Sequence, residues 1–172
     1  MRCNAKEYSQ KLVEESEKIN FKAPLNSWDI FIQGFQRNSQ MLKDITFLKK
    51  YAQENKWNHD FNFGQKILHQ AFSIIVTDLD LNIIFASHNM FEINGYLPAE
   101  VIGEKPAIFQ GKETDPVIKD KISSAIRNRE VFEETIINHR KNGTPYRCVI
   151  QGHPVFNRKQ ELVNFITFEK RS

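Results

Sequence analysis

The residues able to carry chemistry are few and scattered. The 172-residue chain holds two cysteines, Cys3 and Cys148, and five histidines. A thiol beside an imidazole makes a nucleophile and base, and clustered Cys and His ligate zinc. Neither use is set up here. No CxxC occurs, and His88, His139 and His153 stand singly, without metal-ligand spacing. Each is read as a solvated or core histidine. Paired acids can divide general-acid and general-base roles. Glu14-Glu15 and Glu133-Glu134 are read instead as solvated faces. Asp78 and Asp80 are spaced like a working pair, yet Asp78-Leu79-Asp80-Leu81-Asn82 is turn chemistry. The chain contains no G-x-S-x-G, phosphate loop or G-x-G-x-x-G. It is read as non-catalytic.

Composition narrows the partners. Net charge is +3, and the basic residues fall in separated pairs: Lys49-Lys50, Arg140-Lys141 and Lys170-Arg171. A nucleic-acid binder would carry a basic stripe with exposed aromatics, so nucleic acid is excluded as a partner. No run reaches the 18 or so apolar residues of a membrane span, and no apolar leader opens the chain. With no cysteine framework, the chain is read as cytoplasmic and reduced. Fourteen phenylalanines and 40% hydrophobic residues are enough for a full core.

The elements that would position any site follow from breakers and periodicity. Residues 5–20 read as a helix with a thin stripe of Tyr8, Leu12, Val13 and Ile19. Asn26 then caps a long amphipathic helix over 27–55, with apolar residues at 28, 31, 32, 35, 42, 45, 48 and 52. This helix either packs on its own domain or forms a dimer seam, through Trp28, Phe31, Ile32 and Phe35. Trp57, Phe61 and Phe63 are poor choices for a free linker, so residues 56–64 are expected to lie on the domain. Ile74-Ile75-Val76 and Ile83-Ile84-Phe85 flank the acidic turn as two strands. Very short helices follow, broken by Asn94-Gly95 and Pro98. Such helices are unstable alone and must wrap something, and a pocket is the natural candidate. Asp115-Pro116 starts a helix of about 14 residues, with Ile118, Ile122, Ala125 and Ile126 on one face. Strands at 131–139, 146–156 and 162–168 close the chain, the first two joined by Asn142-Gly143. The fold class is α+β: a five-stranded antiparallel sheet with short helices on one face and an N-terminal helical extension. Residues 1–62 form the extension and 63–172 the domain.

Taken together, IIVTDLDLNIIFAS, NMFEINGYLPAEVIGEKP, FQGKETDP and INHRKNGTPY resemble a PAS domain over roughly Ile67 to Glu169. Leu97 stands where members of that family often carry a Ser or Thr cap before Pro98. AIFQGKETDP is most similar in wording to the flavin-binding blue-light branch, the LOV domains. The resemblance breaks where that branch does its chemistry. Its reactive cysteine falls on Pro106, and its phosphate-binding arginine falls on Ala107. Gln110 and Asn138 match. A second ring-binding asparagine falls on Cys148, and the last-strand glutamine falls on Glu169, where an ionised carboxylate would lack the amide's donor. Cys148 itself is read as a small core residue. In one haem branch the axial histidine lies on the long helix, and Thr114 to Arg129 holds none. Flavin and haem are both disfavoured, and the cofactor stays unassigned.

The resemblance implies a sensor pocket. Its expected lining begins with Val76 on the first strand, then Met90, Ile93 and Ile102 from the helical middle. Ile108, Phe109 and Gln110 follow, with Ile122 from the long helix. Asn138, Cys148 and Ile166 complete it from the last three strands. The leading expectation is a signal-sensing module that binds a small apolar or mixed ligand and relays its state through the N-terminal helices. The alternative is a ligand-free interaction module, a homodimer or adaptor. A third is a flavin sensor without cysteinyl-adduct chemistry. Residue 172 directly follows the last strand. The output is therefore expected on another polypeptide, such as a kinase, or on a longer form of this one.

Overall fold

The structure, a computed structural model, describes residues 27–172, with only the helical backbone described for 27–31. The helix expected over 5–20, Cys3, and the side chains of Trp28 and Phe31 lie outside the described residues. Helix α1 spans Ser27–Glu54. A π-helical turn at Gln65–His69 leads into β1 (Ser73–Thr77) and β2 (Ile83–Ala86). Helices α2 (Met90–Asn94) and α3 (Pro98–Val101), then a 3-10 turn at Pro106–Phe109, precede α4 (Pro116–Asn128). Strands β3 (Phe132–His139), β4 (Pro145–Phe156) and β5 (Leu162–Arg171) follow. They form one antiparallel sheet in the order β2-β1-β5-β4-β3.

Local chemistry sets the turns. The Asp78 Oδ1 atom accepts the Asn82 amide at 2.8 Å and closes the first hairpin. Gly143 adopts φ +83 in the second, as an Asn-Gly turn requires. Gly95, at φ +77, ends α2 in the left-handed conformation. The Asp115 carboxylate accepts the Val117 amide at 2.8 Å, giving α4 the start read from its sequence. At Leu97, which has no capping oxygen, the Glu100 carboxylate accepts the backbone N–H at 2.9 Å instead.

The two faces of the sheet are covered differently. The second half of α1 lies on the outer face, where Met41, Ile45 and Leu48 join Ile74, Val76, Phe85, Ile166 and Phe168 in one apolar cluster. Phe47 stacks on Phe85 with ring centres 5.2 Å apart. Segment 56–64 does lie on the domain: Trp57 and Phe63 are buried, and the Trp57 ring N–H donates to Asn164 Oδ1 at 3.1 Å. Asp44 of α1 is fully buried and accepts both the backbone N–H of His88, at 2.7 Å, and a bond from its ring Nδ1, at 2.8 Å. The first half of α1 is not docked in this way. Ile32 and Phe35 stay 47% and 69% exposed.

The short helices cover the inner face. Ile75, Ile83 and Met90 pack with Val101 and Phe109. Beside them, Ile136, Tyr146, Cys148 and Ile150 meet Ile93, Ile118 and Ile122. Two expected pocket residues are corrected here. Val76 and Ile166 are register partners on neighbouring strands, and both belong to the outer cluster beneath α1. Strand side chains alternate, so Ile75 takes the inward place expected of Val76. Ile74-Ile75-Val76 is buried on both faces, and its composition carries no mark of which side is which.

Candidate functional site

The inner face has an unusual floor. Asn138 and Tyr146 are opposite each other on β3 and β4, and Cys148 follows two residues on. Glu169 lies on β5, paired with Ile150. All four are buried, and alternation puts them on the side facing α2 and α4. The Cys148 thiol donates to Glu169 Oε2 at 4.0 Å. The Thr167 hydroxyl donates to Oε1 at 3.1 Å. The Tyr146 hydroxyl is buried beside the Asn138 and Cys148 side chains, with neither in good hydrogen-bond geometry to it. A buried hydroxyl without a partner costs about 1–3 kcal/mol, which a ligand acceptor or donor would recover.

Burial dominates the ionisation of this floor. It pushes the Glu169 carboxyl up to about 7, with the Thr167 hydrogen bond pulling the other way. It pushes the Cys148 thiol far up as well, and Glu169 adds to that effect. The Tyr146 phenol is raised first by burial, then by Cys148 and Glu169. A thiol held protonated in this way is a poor nucleophile. The carboxyl is another matter. Sequence reasoning took Glu169 as a lost donor, whereas its protonated form carries an O–H that can donate as an amide does.

The roof is incomplete. Helix α4 has a clear apolar stripe, yet no residue of it is buried. Ile118 and Ile122 are only half-buried above Tyr146 and Cys148, and Ile93, Ile102 and Ile108 are half-buried beside them. An amphipathic helix on a sheet normally closes its stripe against the core. Here the stripe stays partly wet where it packs against the cluster that contains Tyr146. Two hollows open on the surface. One, of about 760 Å³, runs between Arg37, Met41, Leu68 and Lys170, and another, of about 440 Å³, lies along Leu42 and Phe47. The first reaches Ile93 and the strand residues Val149, Lys170 and Arg171 that border the floor, and neither is lined by Asn138, Tyr146, Cys148 or Glu169.

Nine of the eleven expected lining residues fall in or beside the inner layer. Met90 and Phe109 are buried there, with Ile102 and Ile108 against them. Ile93, Ile122 and Cys148 share the second cluster, and Asn138 is buried next to Tyr146. Gln110 caps the 3-10 turn, half-buried. Tyr146 and Ile75 were missed, although the alternation Tyr146, Cys148, Ile150 marks one inward face. Among the described residues no group of three or more His, Cys, Asp and Glu could hold a metal, and no helix is long and apolar enough to cross a membrane.

Residues 71–170 match the family described as PAS domain. The chain is similar to phototropin-2 of Oryza sativa subsp. japonica, with 32% identity over 100 residues, covering 58% of this chain and 11% of that protein. It is also similar to blue-light-activated histidine kinase 2 of Erythrobacter litoralis, with 35% identity over 75 residues, 42% of this chain and 22% of the relative. The chain thus spans less than a quarter of either relative. Among solved structures, the LOV domain of the Erythrobacter litoralis EL346 blue-light activated histidine kinase superposes with a TM-score of 0.55 at 26% identity, covering 58% of this chain and 94% of that one.

Proposed function

The chain belongs to the PAS domain family, and from that premise we propose that it is a non-catalytic signal-sensing module whose inner face holds a small ligand. The observation that carries this reading is the half-buried α4 stripe against the cluster that contains the Tyr146 hydroxyl, which lacks a well-formed hydrogen bond. A ligand-free module would gain nothing from that arrangement. A ligand would complete the α4 layer and partner the floor, and its differential fit would shift the balance between two packings. The relay proceeds through α2. This helix directly follows His88, which is bonded to Asp44 of α1, and its Glu92 pairs with Arg37 of α1. A displaced α2 therefore pulls on α1 at two points. The exposed Ile32, Phe35 and Leu42 of α1 then serve as a seam for a second copy or an output protein such as a kinase.

The blue-light relatives make a flavin-type ring the first ligand to try, against the expectation from sequence. Asn138, Gln110 and protonated Glu169 could hold such a ring by its polar edge. A bound flavin would supply absorption of blue light. The adduct chemistry does not fit: Pro106 offers no thiol, and Cys148 lies on the floor strand with its proton held. Native mass spectrometry of the protein purified without unfolding is expected to show a non-covalent mass that denaturation releases. Bare polypeptide alone, with no rise in melting temperature on adding riboflavin, would overturn the ligand reading and leave the interaction module.

A further inference from the structure

We infer that the hollow between α1, the π-helical turn, α2 and the ends of β4 and β5 is a second binding site, and that it takes an amphiphilic carboxylate, a single acyl chain with an anionic head. The inference goes beyond the sensor reading of the inner face and stands on other residues. Several elements converge on one hollow of about 760 Å³. Small-molecule sites run from roughly 300 to 1,000 Å³. Its apolar side is made by Met41 of α1, Ile67 and Leu68 of the π-helical turn, Ile93 of α2 and Val149 of β4. Leu68 is 44% exposed, so this side opens to solvent. The polar side is cationic. Among the described residues lining the hollow, Arg37, Lys170 and Arg171 face a single acidic side chain, Glu92. That acid is already paired with Arg37. Among the described residues, Lys170 and Arg171 have no carboxylate partner. Lys170 instead holds its ammonium 4.7 Å from the centre of the Phe72 ring, and Lys66 reaches the same ring at 4.6 Å. Burial holds the Lys66 amine below its ordinary value, Glu133 opposes that, and Lys170 adds to it. Positive charge is thus crowded at one mouth of an apolar hollow, a state that an anion relieves. The wall beside these cations has an unusual backbone. The π-helical turn is a rare form often found at functional sites. Ala71, which also lines the hollow, is held at φ +55, a left-handed conformation that residues with a Cβ rarely adopt.

The two sides of the hollow divide the work. The Arg171 fork, with Lys170 beside it, matches a carboxylate head. The acyl chain lies along Met41, Ile67 and Leu68, where a bare inorganic anion would leave the apolar side unused. Helices α1 and α2 both wall the hollow, so an occupant ties them together beyond the Arg37–Glu92 pair. The test titrates decanoate, kept below the concentration at which it forms micelles, into the full chain at neutral pH, reading amide chemical shifts. The expected result is saturable shifts at Leu68, Ala71, Ile93 and Lys170, with Leu48 unmoved. Arg171→Glu exchanges an attraction for a repulsion and should weaken binding roughly 10-fold, and Leu68→Glu at least as much. Both side chains are exposed, so both variants should fold. Neutral 1-decanol should bind roughly 10-fold more weakly than decanoate, and inorganic phosphate should not saturate the site. No saturable shift with decanoate overturns the site. Shifts centred on Ile118, Ile122 and Tyr146 would put the acyl chain on the inner face and overturn the second site while leaving the sensor reading intact. Equal affinity for 1-decanol overturns the anionic head, and equal affinity for phosphate overturns the acyl chain. Affinity for decanoate unchanged in both variants overturns the placement at Leu68 and Arg171.

Discussion

The two faces of one sheet are built to opposite rules. The outer face is sealed: α1, Trp57 and Phe63 cover Ile74, Val76, Ile166 and Phe168, and its aromatic rings pack edge to face and in stacks. Its polar groups have partners. Asp44 binds His88, and Asn164 bridges Trp57 to the Thr77 carbonyl. The inner face is left open beneath α4, and its floor holds a buried acid, a raised thiol and a phenol without a well-formed hydrogen bond. A face that serves only stability closes its packing and satisfies its polar atoms. A face that leaves both undone is poised to be completed by something else.

The contrast is sharpest in large-to-small substitution. Leu48→Ala removes a fully buried side chain from the sealed face. It should cost about 2–5 kcal/mol by denaturant unfolding. A loss below about 1 kcal/mol would mean that α1 is not seated as described.

Next in size is the pH dependence of stability. The Glu169 carboxyl is near 4.5 when unfolded and near 7 when folded. The folded state therefore holds its proton where the unfolded chain has lost it. The stability this supplies is complete below about pH 4.5 and disappears as pH rises through about 7, a loss of roughly 3 kcal/mol. Glu169→Gln should lack that slope, so its stability should rise relative to the native protein across this window. Parallel curves would place the acid in contact with water.

Asp44→Ala should cost about 1.5–3 kcal/mol, because its fully buried carboxyl accepts two bonds from His88 that the variant leaves unmade. Hydrogen exchange should also quicken along α1 more than in β4. Ile118→Ala lies at the small end. This half-exposed side chain should cost only about 1 kcal/mol of stability. It should nevertheless weaken riboflavin binding, whereas a loss of stability as large as that of Leu48→Ala would mean that the inner face is already closed.

How much of this was legible in the sequence depended on the residue. Turns and helix starts were readable because single residues specify them: Asn142-Gly143, Asp115-Pro116 and Asp78 all act locally. The antiparallel pairings within the first hairpin and among the last three strands followed from turn length, whereas the β1-β5 pairing that joins them carries no local signal. The facing of β1 was not readable, since Ile74, Ile75 and Val76 are equally apolar and equally buried. That is why Val76 and Ile166 were set on the wrong side. The docking of α1 was half readable. Its apolar stripe marked Ile45 and Leu48, but Asp44 anchors it through a polar bond that periodicity does not register, and Leu42 points to water. Glu169 was visible as a residue, but its raised carboxyl comes from burial by strands and helices far apart in sequence, which no local pattern records.

The central claim is that the space between α4 and the β3-β4-β5 floor is a ligand site. It is tested most directly by amide chemical shifts during titration of the intact chain with riboflavin at about pH 5.5, where the floor acid is protonated. The account predicts saturable shifts first at Ile118, Ile122, Tyr146, Cys148 and Glu169, with smaller ones at His88 and Asp44 and none at Leu48. Shifts confined to the Leu42 and Phe47 groove, with the floor unmoved, would contradict it.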